Sequence, residues 1–367
     1  MLIDQEAGKP VDPDVLKKAI EARVTHVLNK QVEVGIDEVN DGEQGRIGFQ
    51  TYVAQRMSGF GGVSNRPYGK DWTTFPQFSE RFFERLPRRI GRVNNAPQAV
   101  ADIRYQGAEL IATETERLKR LSTPIKSRVA GIFMNAAAPG IIATTMLNAH
   151  YKTYEDYLTA IAGEMRKEYA AVINAGFILQ LDAPDLAMER TMLFQDKTDA
   201  EFVMVLEQHI AAVNLAIEGL PADRVRLHVC WGNWEGPHLH DVPMDVILPT
   251  LYKAKVGALG LEFGNSRKQH ETAAIRKHKL PDDMMLIAGV IDSKSNMVEH
   301  PEVVAQRIEG VVTALGNREQ VIAGVDCGFG TFVGWEWVTE DVVWAKLKTL
   351  HEGADIASRR LWGRKAA

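Results

Sequence analysis

Only two cysteines occur in 367 residues, and each lies in a segment whose residue types suit metal chemistry. Cys230 stands in LHVCWGNW, two residues after His228, and Cys327 stands in GVDCGFGT. Thiolate and imidazole are the ligands a soft divalent cation such as Zn²⁺ prefers, and a His-x-Cys pair at a strand end can aim both side chains at one point. A carboxylate from elsewhere would complete a tetrahedron. Taken alone, the pair also fits an ordinary core, because free cysteine is among the most buried residue types. Its position in the fold therefore decides its meaning.

Short apolar, β-branched runs occur at 36–40, 128–134, 177–182, 225–230, 258–262, 285–291 and 321–325, each of a length suited to a buried strand. Amphipathic stretches at 13–34, 108–121, 154–175, 198–219, 244–255, 301–315 and 339–361 have helical spacing. Strand and helix in alternation imply parallel pairing through right-handed crossovers. An open doubly wound sheet and a closed (β/α)8 barrel both satisfy this pattern, and the polar residues separate them. Six strands end in ionisable or metal-binding residues: Asp41 and Glu43, Asp182 and Asp185, His228 and Cys230, Glu262, Asp292 and Lys294, Asp326 and Cys327. In a TIM barrel such ends converge on one mouth, where active sites of this fold are built. The expected zinc site is therefore His228, Cys230, Glu262 and Cys327. His238 and His240 in GPHLHD are alternative ligands, read here as substrate contacts or surface.

The chain is 45% hydrophobic and 25% charged, with a net charge of −5. A nucleic-acid binder would normally carry a basic field, so nucleic acid is not an expected partner. The arginines at 81, 85, 88, 89 and 92 read as a solvated helix end. Two cysteines make no disulfide framework and the N-terminus has no apolar signal core, which points to a reducing cytoplasm. The uncharged stretch 129–147 reaches membrane-spanning length, but Asn135, Pro139 and Gly140 fit a buried strand leading into a loop, so no membrane partner is expected. GFGGV at 59–63 and GFGTFVG at 328–334 lack a phosphate-loop context and read as turns. Trp231, Trp234, Trp335 and Trp337 either line a substrate pocket or pack its rim.

Six segments in order, DGEQGR, LQLDAPDLA, HVCWGNW, LEFGNSRKQHE, GVIDSKS and DCGFGT, resemble the catalytic domain of the cobalamin-independent methionine synthase family, most closely its short single-domain relatives. The resemblance runs from about residue 15 to about residue 360. It implies one barrel domain over 1–367 with a catalytic zinc on His228, Cys230, Glu262 and Cys327. That metal would activate a small-molecule thiol, homocysteine by default, for methyl transfer from an alkyl donor to give methionine. Glu262 would be the ligand that yields to substrate. The family's Gly-Glu and Asp-x-Pro motifs, which grip the homocysteine amino group, fall on Glu43 and Asp182; a structural acid capping a loop is the other reading of each. Asp292 would serve acid–base chemistry or orient a neighbour.

The departures matter for naming the substrate. The family's catalytic histidine is replaced by Lys294, which stays charged unless buried and does not share protons near neutral pH as imidazole does. Asp292 and Lys294 together are the catalytic candidates. The synthase's amino-terminal half is absent from this chain, which argues against methyl-folate as donor. The relatives' first barrel strand is also missing, so that strand lies ahead of Met1 or the barrel is open at that seam. Two alternatives stay open: alkyl transfer to another thiol, as in the resembling epoxyalkane:coenzyme M transferases, and a metal-free enzyme resembling uroporphyrinogen decarboxylase, or a binding protein.

Overall fold

A computed structural model describes residues 1–86 and 95–363. Arg81 and Arg85 are exposed on the helix Pro76–Arg85, whereas Arg88, Arg89 and Arg92 lie outside the described residues.

Seven strands form one parallel sheet, with a two-stranded ribbon beside it. The strands are β1 (Glu38–Val39), β2 (Met57–Gly61), β3 (Gln98–Tyr105), β4 (Gly131–Ala137), β5 (Ile178–Asp182), β6 (Val225–His228), β7 (Ala258–Glu262), β8 (Met285–Ile291) and β9 (Val321–Val325). The sheet order is β1-β4-β5-β6-β7-β8-β9, and β2 pairs antiparallel with β3. Helices cover the strands in alternation, and one cluster of buried apolar side chains runs from Val24 to Ala357. The middle strands are buried on both faces because helices pack outside and side chains fill the barrel inside, which is why they read as unbroken apolar runs.

Helix starts follow local chemistry. Asp12 caps Pro13–Glu33 by accepting from the Asp14 and Val15 amides at 2.9 and 3.2 Å. Thr198 and Glu201 form a reciprocal capping box at Asp199–Ala216. Two expectations need correction. After β4 the chain forms a fully buried helix, Pro139–Thr145, and not a loop; Pro139 sits at its first position, where the missing N–H costs nothing. The glycine-rich GFGGV segment begins inside β2, with a register shift between Ser58 and Phe60. Gly59 there has φ +93°, and a Cβ on it would meet the Asp102 carbonyl at 2.6 Å.

The barrel is open between β1 and β9, which are the two edges of the sheet. Among the described residues the rim is bridged by backbone bonds: the Phe49 amide donates to Thr331 O at 3.2 Å and the Val333 amide to Ile47 O at 3.0 Å. Below it, the helices Pro13–Glu33 and Glu340–Trp362 meet through Glu340, which takes Arg23 at 3.1 Å and His26 at 2.6 Å. The fold is thus an α/β barrel of the TIM type that lacks one strand.

Candidate active site

Parallel pairing brings the C-terminal strand ends to one rim. Asp182 is in register with His228, His228 with Gly260, and Glu262 with Gly289. His228 closes β6, Cys230 follows two residues later, and Cys327 lies two residues beyond β9. A Cβ at Gly289 would lie 2.7 Å from Asp326 Cα, so glycine there lets the segment carrying Cys327 turn in over β8. Asp326 secures the neighbouring turn by accepting from the Phe263, Gly264 and Asn265 amides at 3.1, 2.8 and 2.9 Å.

The result is a three-donor cluster: one ligating atom each from His228, Cys230 and Cys327, all within 4.8 Å of one another. Ligands of a tetrahedral zinc stand roughly 3.3–3.8 Å apart given ordinary Zn–S and Zn–N bond lengths, so small side-chain movements would let these three hold the ion. The hydrogen bond from Cys327 favours the Cys230 thiolate over its burial, and the Cys230 thiol titrates down at about 6. Burial, reinforced by the Cys230 charge, pushes Cys327 well up. Burial alone would depress the His228 imidazole, but its hydrogen bond to Cys230 and the nearby charges lift it to about 8. Two thiols and an imidazole that already favour one thiolate form a donor set suited to zinc.

Glu262 is only 1% exposed and adjoins Cys327. Its Oε1 is 3.6 Å from Cys327 Sγ and accepts from the Trp231 amide at 3.1 Å. Its Oε2 accepts from Asn265 Nδ2 at 2.8 Å and Lys294 Nζ at 2.9 Å. Burial is the largest influence and works against both charges of the Glu262–Lys294 pair, but the partner's charge and hydrogen bond together with neighbouring charges, Lys268 and His238 on the acid and Cys327 and Asp326 on the ammonium, outweigh it, so the acid is lowered and the ammonium raised.

Asp292 is engaged within its own turn. Its Oδ1 accepts from the Lys294 amide at 3.0 Å and its Oδ2 from the Ser295 hydroxyl at 2.7 Å, so it shapes the turn that aims Lys294. His238 has both ring nitrogens engaged, with Asp241 at 3.2 Å and Trp234 O at 3.1 Å, and His240 meets Thr74 at 2.9 Å.

A cavity of about 1230 Å³ reaches His228, Cys230 and Cys327, and Glu43 and Asp182 also line it. Asp182 accepts one amide on each oxygen, Asn135 at 2.8 Å and Gln180 at 2.9 Å. Glu43 adopts φ 53°, a left-handed backbone that a non-glycine residue rarely takes, and its amide donates to Asp41 at 2.9 Å. Such strain is held only where the surroundings over-determine it, and it clusters at functional sites. Burial raises the Glu43 carboxyl to about 8, with Arg46 opposing and Asp182 reinforcing.

One cavity wall is aromatic. Trp72 stacks on Trp234 with centroids 4.5 Å apart, and Phe82 and Phe83 pack against Trp72. Trp335 also lines the cavity. Trp231 instead packs inside, donating its indole N–H to Val242 O at 2.7 Å. Trp72, Phe82, Phe83 and Asn265 are site residues that the sequence reading does not single out; the aromatic density of DWTTFPQFSERFF is the signal for the first three, and Asn265 lies in the LEFGNSRKQHE motif.

Comparison with known proteins agrees with this geometry. The chain is 24% identical to 2-hydroxypropyl-CoM lyase of Xanthobacter autotrophicus, over 98% of this chain and 91% of that protein. It is 24% identical to a methionine synthase of Sulfolobus acidocaldarius, over 88% and 78%. The solved B12-independent methionine synthase of a Shewanella species, in complex with selenomethionine, superposes with a TM-score of 0.73 at 21% identity, covering 96% of this chain and 92% of that one. Residues 83–348 match the family described as "Cobalamin-independent synthase, Catalytic domain". With the His228, Cys230 and Cys327 donors gathered at the barrel mouth, the chain belongs to the cobalamin-independent methionine synthase catalytic-domain family.

Proposed function

We propose that residues 1–367 act as one barrel domain, a zinc-dependent transferase that moves a methyl or other alkyl group onto a small-molecule thiol, with homocysteine as the first acceptor and methionine as product. The observation that carries this reading is the convergence of His228, Cys230 and Cys327 on the cavity, with their ligating atoms within 4.8 Å of one another. Zinc held there would keep a substrate thiol deprotonated near neutral pH, as the sulfur nucleophile of an alkyl transfer requires. Glu262 is the fourth residue assigned to the metal. Glu43 and Asp182 line the same cavity and would grip the substrate ammonium through charge-assisted hydrogen bonds. Asp292 would position Lys294, and Lys294 would hold Glu262. The aromatic wall would exclude water and face the alkyl donor.

Elemental analysis of the purified protein beside a Cys327→Ser variant tests the reading. About one zinc per chain, lost in the variant, is expected, with a sulfur ligand gained in the zinc X-ray absorption spectrum on adding homocysteine. Stoichiometric absence of zinc after expression with added metal would overturn it.

A second reading, alkyl transfer between a different thiol and an apolar electrophile, is favoured by the Trp72–Trp234 wall. Glu43 and Asp182 would pair with the homocysteine ammonium and offer nothing to a sulfonate-bearing thiol such as coenzyme M, which would need the arginines of the same cavity, Arg46, Arg66 and Arg226. A sulfur-ligand change with coenzyme M and none with homocysteine would select this second reading.

A further inference from the structure

One side chain joins the three loops that carry Cys230, Lys294 and Cys327. Asn233 Nδ2 donates to Gly328 O at 2.6 Å and to Thr331 Oγ1 at 2.9 Å, and its Oδ1 accepts from the Ser293 hydroxyl at 3.3 Å. Gly328 directly follows Cys327, and Ser293 directly precedes Lys294. A primary amide offers donors at one end and an acceptor at the other, and here both ends are engaged. Gly232, between Cys230 and Asn233, has φ +110°, and a Cβ on it would meet the Trp234 ring at 2.9 Å, so glycine permits the tight turn that presents the amide. Asn233, Gly328 and Thr331 all line the cavity that reaches the cysteines.

The open seam makes this clasp consequential. Cys230 follows β6, which has a strand on each side, whereas Cys327 follows β9, which borders β8 alone. The sheet therefore fixes the Cys327 segment from one side only. Two buried thiolates also repel each other until a cation arrives, so the loops that carry them need an independent tie.

We propose that Asn233 is a positioning residue that sets the separation of Cys230 and Cys327, its two N–H groups holding the loop of the edge strand at metal-binding distance from the loop of β6. This rests on the zinc reading above. Aspartate has the same shape but no N–H to give, and would turn a carboxylate oxygen toward the Gly328 carbonyl.

The test compares wild type with Asn233→Ala, Asn233→Asp and Thr331→Val, each first checked for native circular dichroism. Zinc affinity is measured by competition with a chromophoric chelator, and coordination geometry by the ligand-field and sulfur-to-metal charge-transfer bands of the cobalt-substituted proteins. Removing an outer partner of a metal site typically costs about ten- to a hundredfold in affinity. Both Asn233 variants are expected to show a loss in that range with altered cobalt bands, and Thr331→Val a smaller loss in the same direction. Asn296→Ala is the control. It removes a comparable tie between the β8 and β9 loops, Asn296 Nδ2 to Trp337 O at 2.7 Å and the Thr339 amide to Asn296 Oδ1 at 3.1 Å. It should leave zinc affinity within about twofold of wild type, as for an uncoupled site.

Wild-type zinc affinity and cobalt bands in the Asn233 variants would overturn the assignment. So would an equal loss in Asn296→Ala, because general loosening of the loops would then explain both. If the Asn233 variants fail to fold, Thr331→Val decides alone, and its wild-type affinity would count against the clasp. Zinc-free wild-type protein would end the underlying zinc reading instead, so the two failures are distinguishable.

Discussion

Glu43 combines an unusual backbone with an unusual carboxyl. Its φ is 53°, its side chain keeps 23% of its surface open, and Arg46 lies 3.3 Å away. Burial lifts its carboxyl from 4.5 to about 8, so near neutral pH the empty site holds a proton there. A ligand ammonium favours the ionised form and lowers that value on binding. Binding must therefore release a proton, and affinity should rise with pH until about 8. Methionine is the suitable probe because its thioether carries no titrating thiol. Calorimetry near pH 7 in buffers of different ionisation enthalpy should show release of up to about one proton, absent in Glu43→Gln. Equal proton release by both proteins would remove Glu43 from the ammonium site.

At the scale of elements, a buried charge network ties the β2–β3 ribbon to the barrel. Arg56 bridges Glu114 at 2.5 Å and Glu168 at 2.9 Å, Tyr52 and Tyr105 donate to Glu168 at 2.6 and 2.7 Å, and Arg46 joins Glu114 at 3.0 Å. Burial would raise the Glu114 carboxyl, but Arg46 and Arg56 outweigh it and hold it at about 2. The same Arg46 reaches Glu43, so the network also braces the strained turn at the cavity. Glu168 is fully buried on the helix Tyr154–Asn174. Glu168→Gln removes one charge from a closed set, and breaking a buried pair from one side costs about 3–5 kcal/mol. Urea unfolding should show a drop of that order, and a loss under about 1 kcal/mol would mean the network contributes little net stability.

For the whole molecule, the open seam sets the distribution of local stability. All five residues of β9 are half-buried, whereas the last four of β7 are buried. In a parallel sheet alternate amides point to opposite neighbours, so β9 has amides with no strand beside them. Hydrogen exchange followed by mass spectrometry should show Val321–Val325 exchanging faster than Ala258–Glu262 by at least about tenfold. Equal protection would mean that the seam is closed in solution. Among the described residues no helix is long and apolar enough to cross a membrane.

The sequence by itself determined the alternation of the barrel and the donors of its mouth. The strands at 258–262, 285–291 and 321–325 coincide with the observed ones, because doubly buried parallel strands must be short apolar runs and their polar ends mark the catalytic face. Only the tertiary structure decided how those ends meet. His228 and Cys327 are far apart in the chain, and sheet curvature brings their ligating atoms within 4.8 Å. The β2–β3 ribbon went unread because β3 is mostly exposed, with a burial pattern too weak to mark a strand, and its partner lies far off in sequence. The turn of Glu262 toward Lys294 was equally illegible, since the direction of a buried carboxylate is set by the donors that three different loops bring to it.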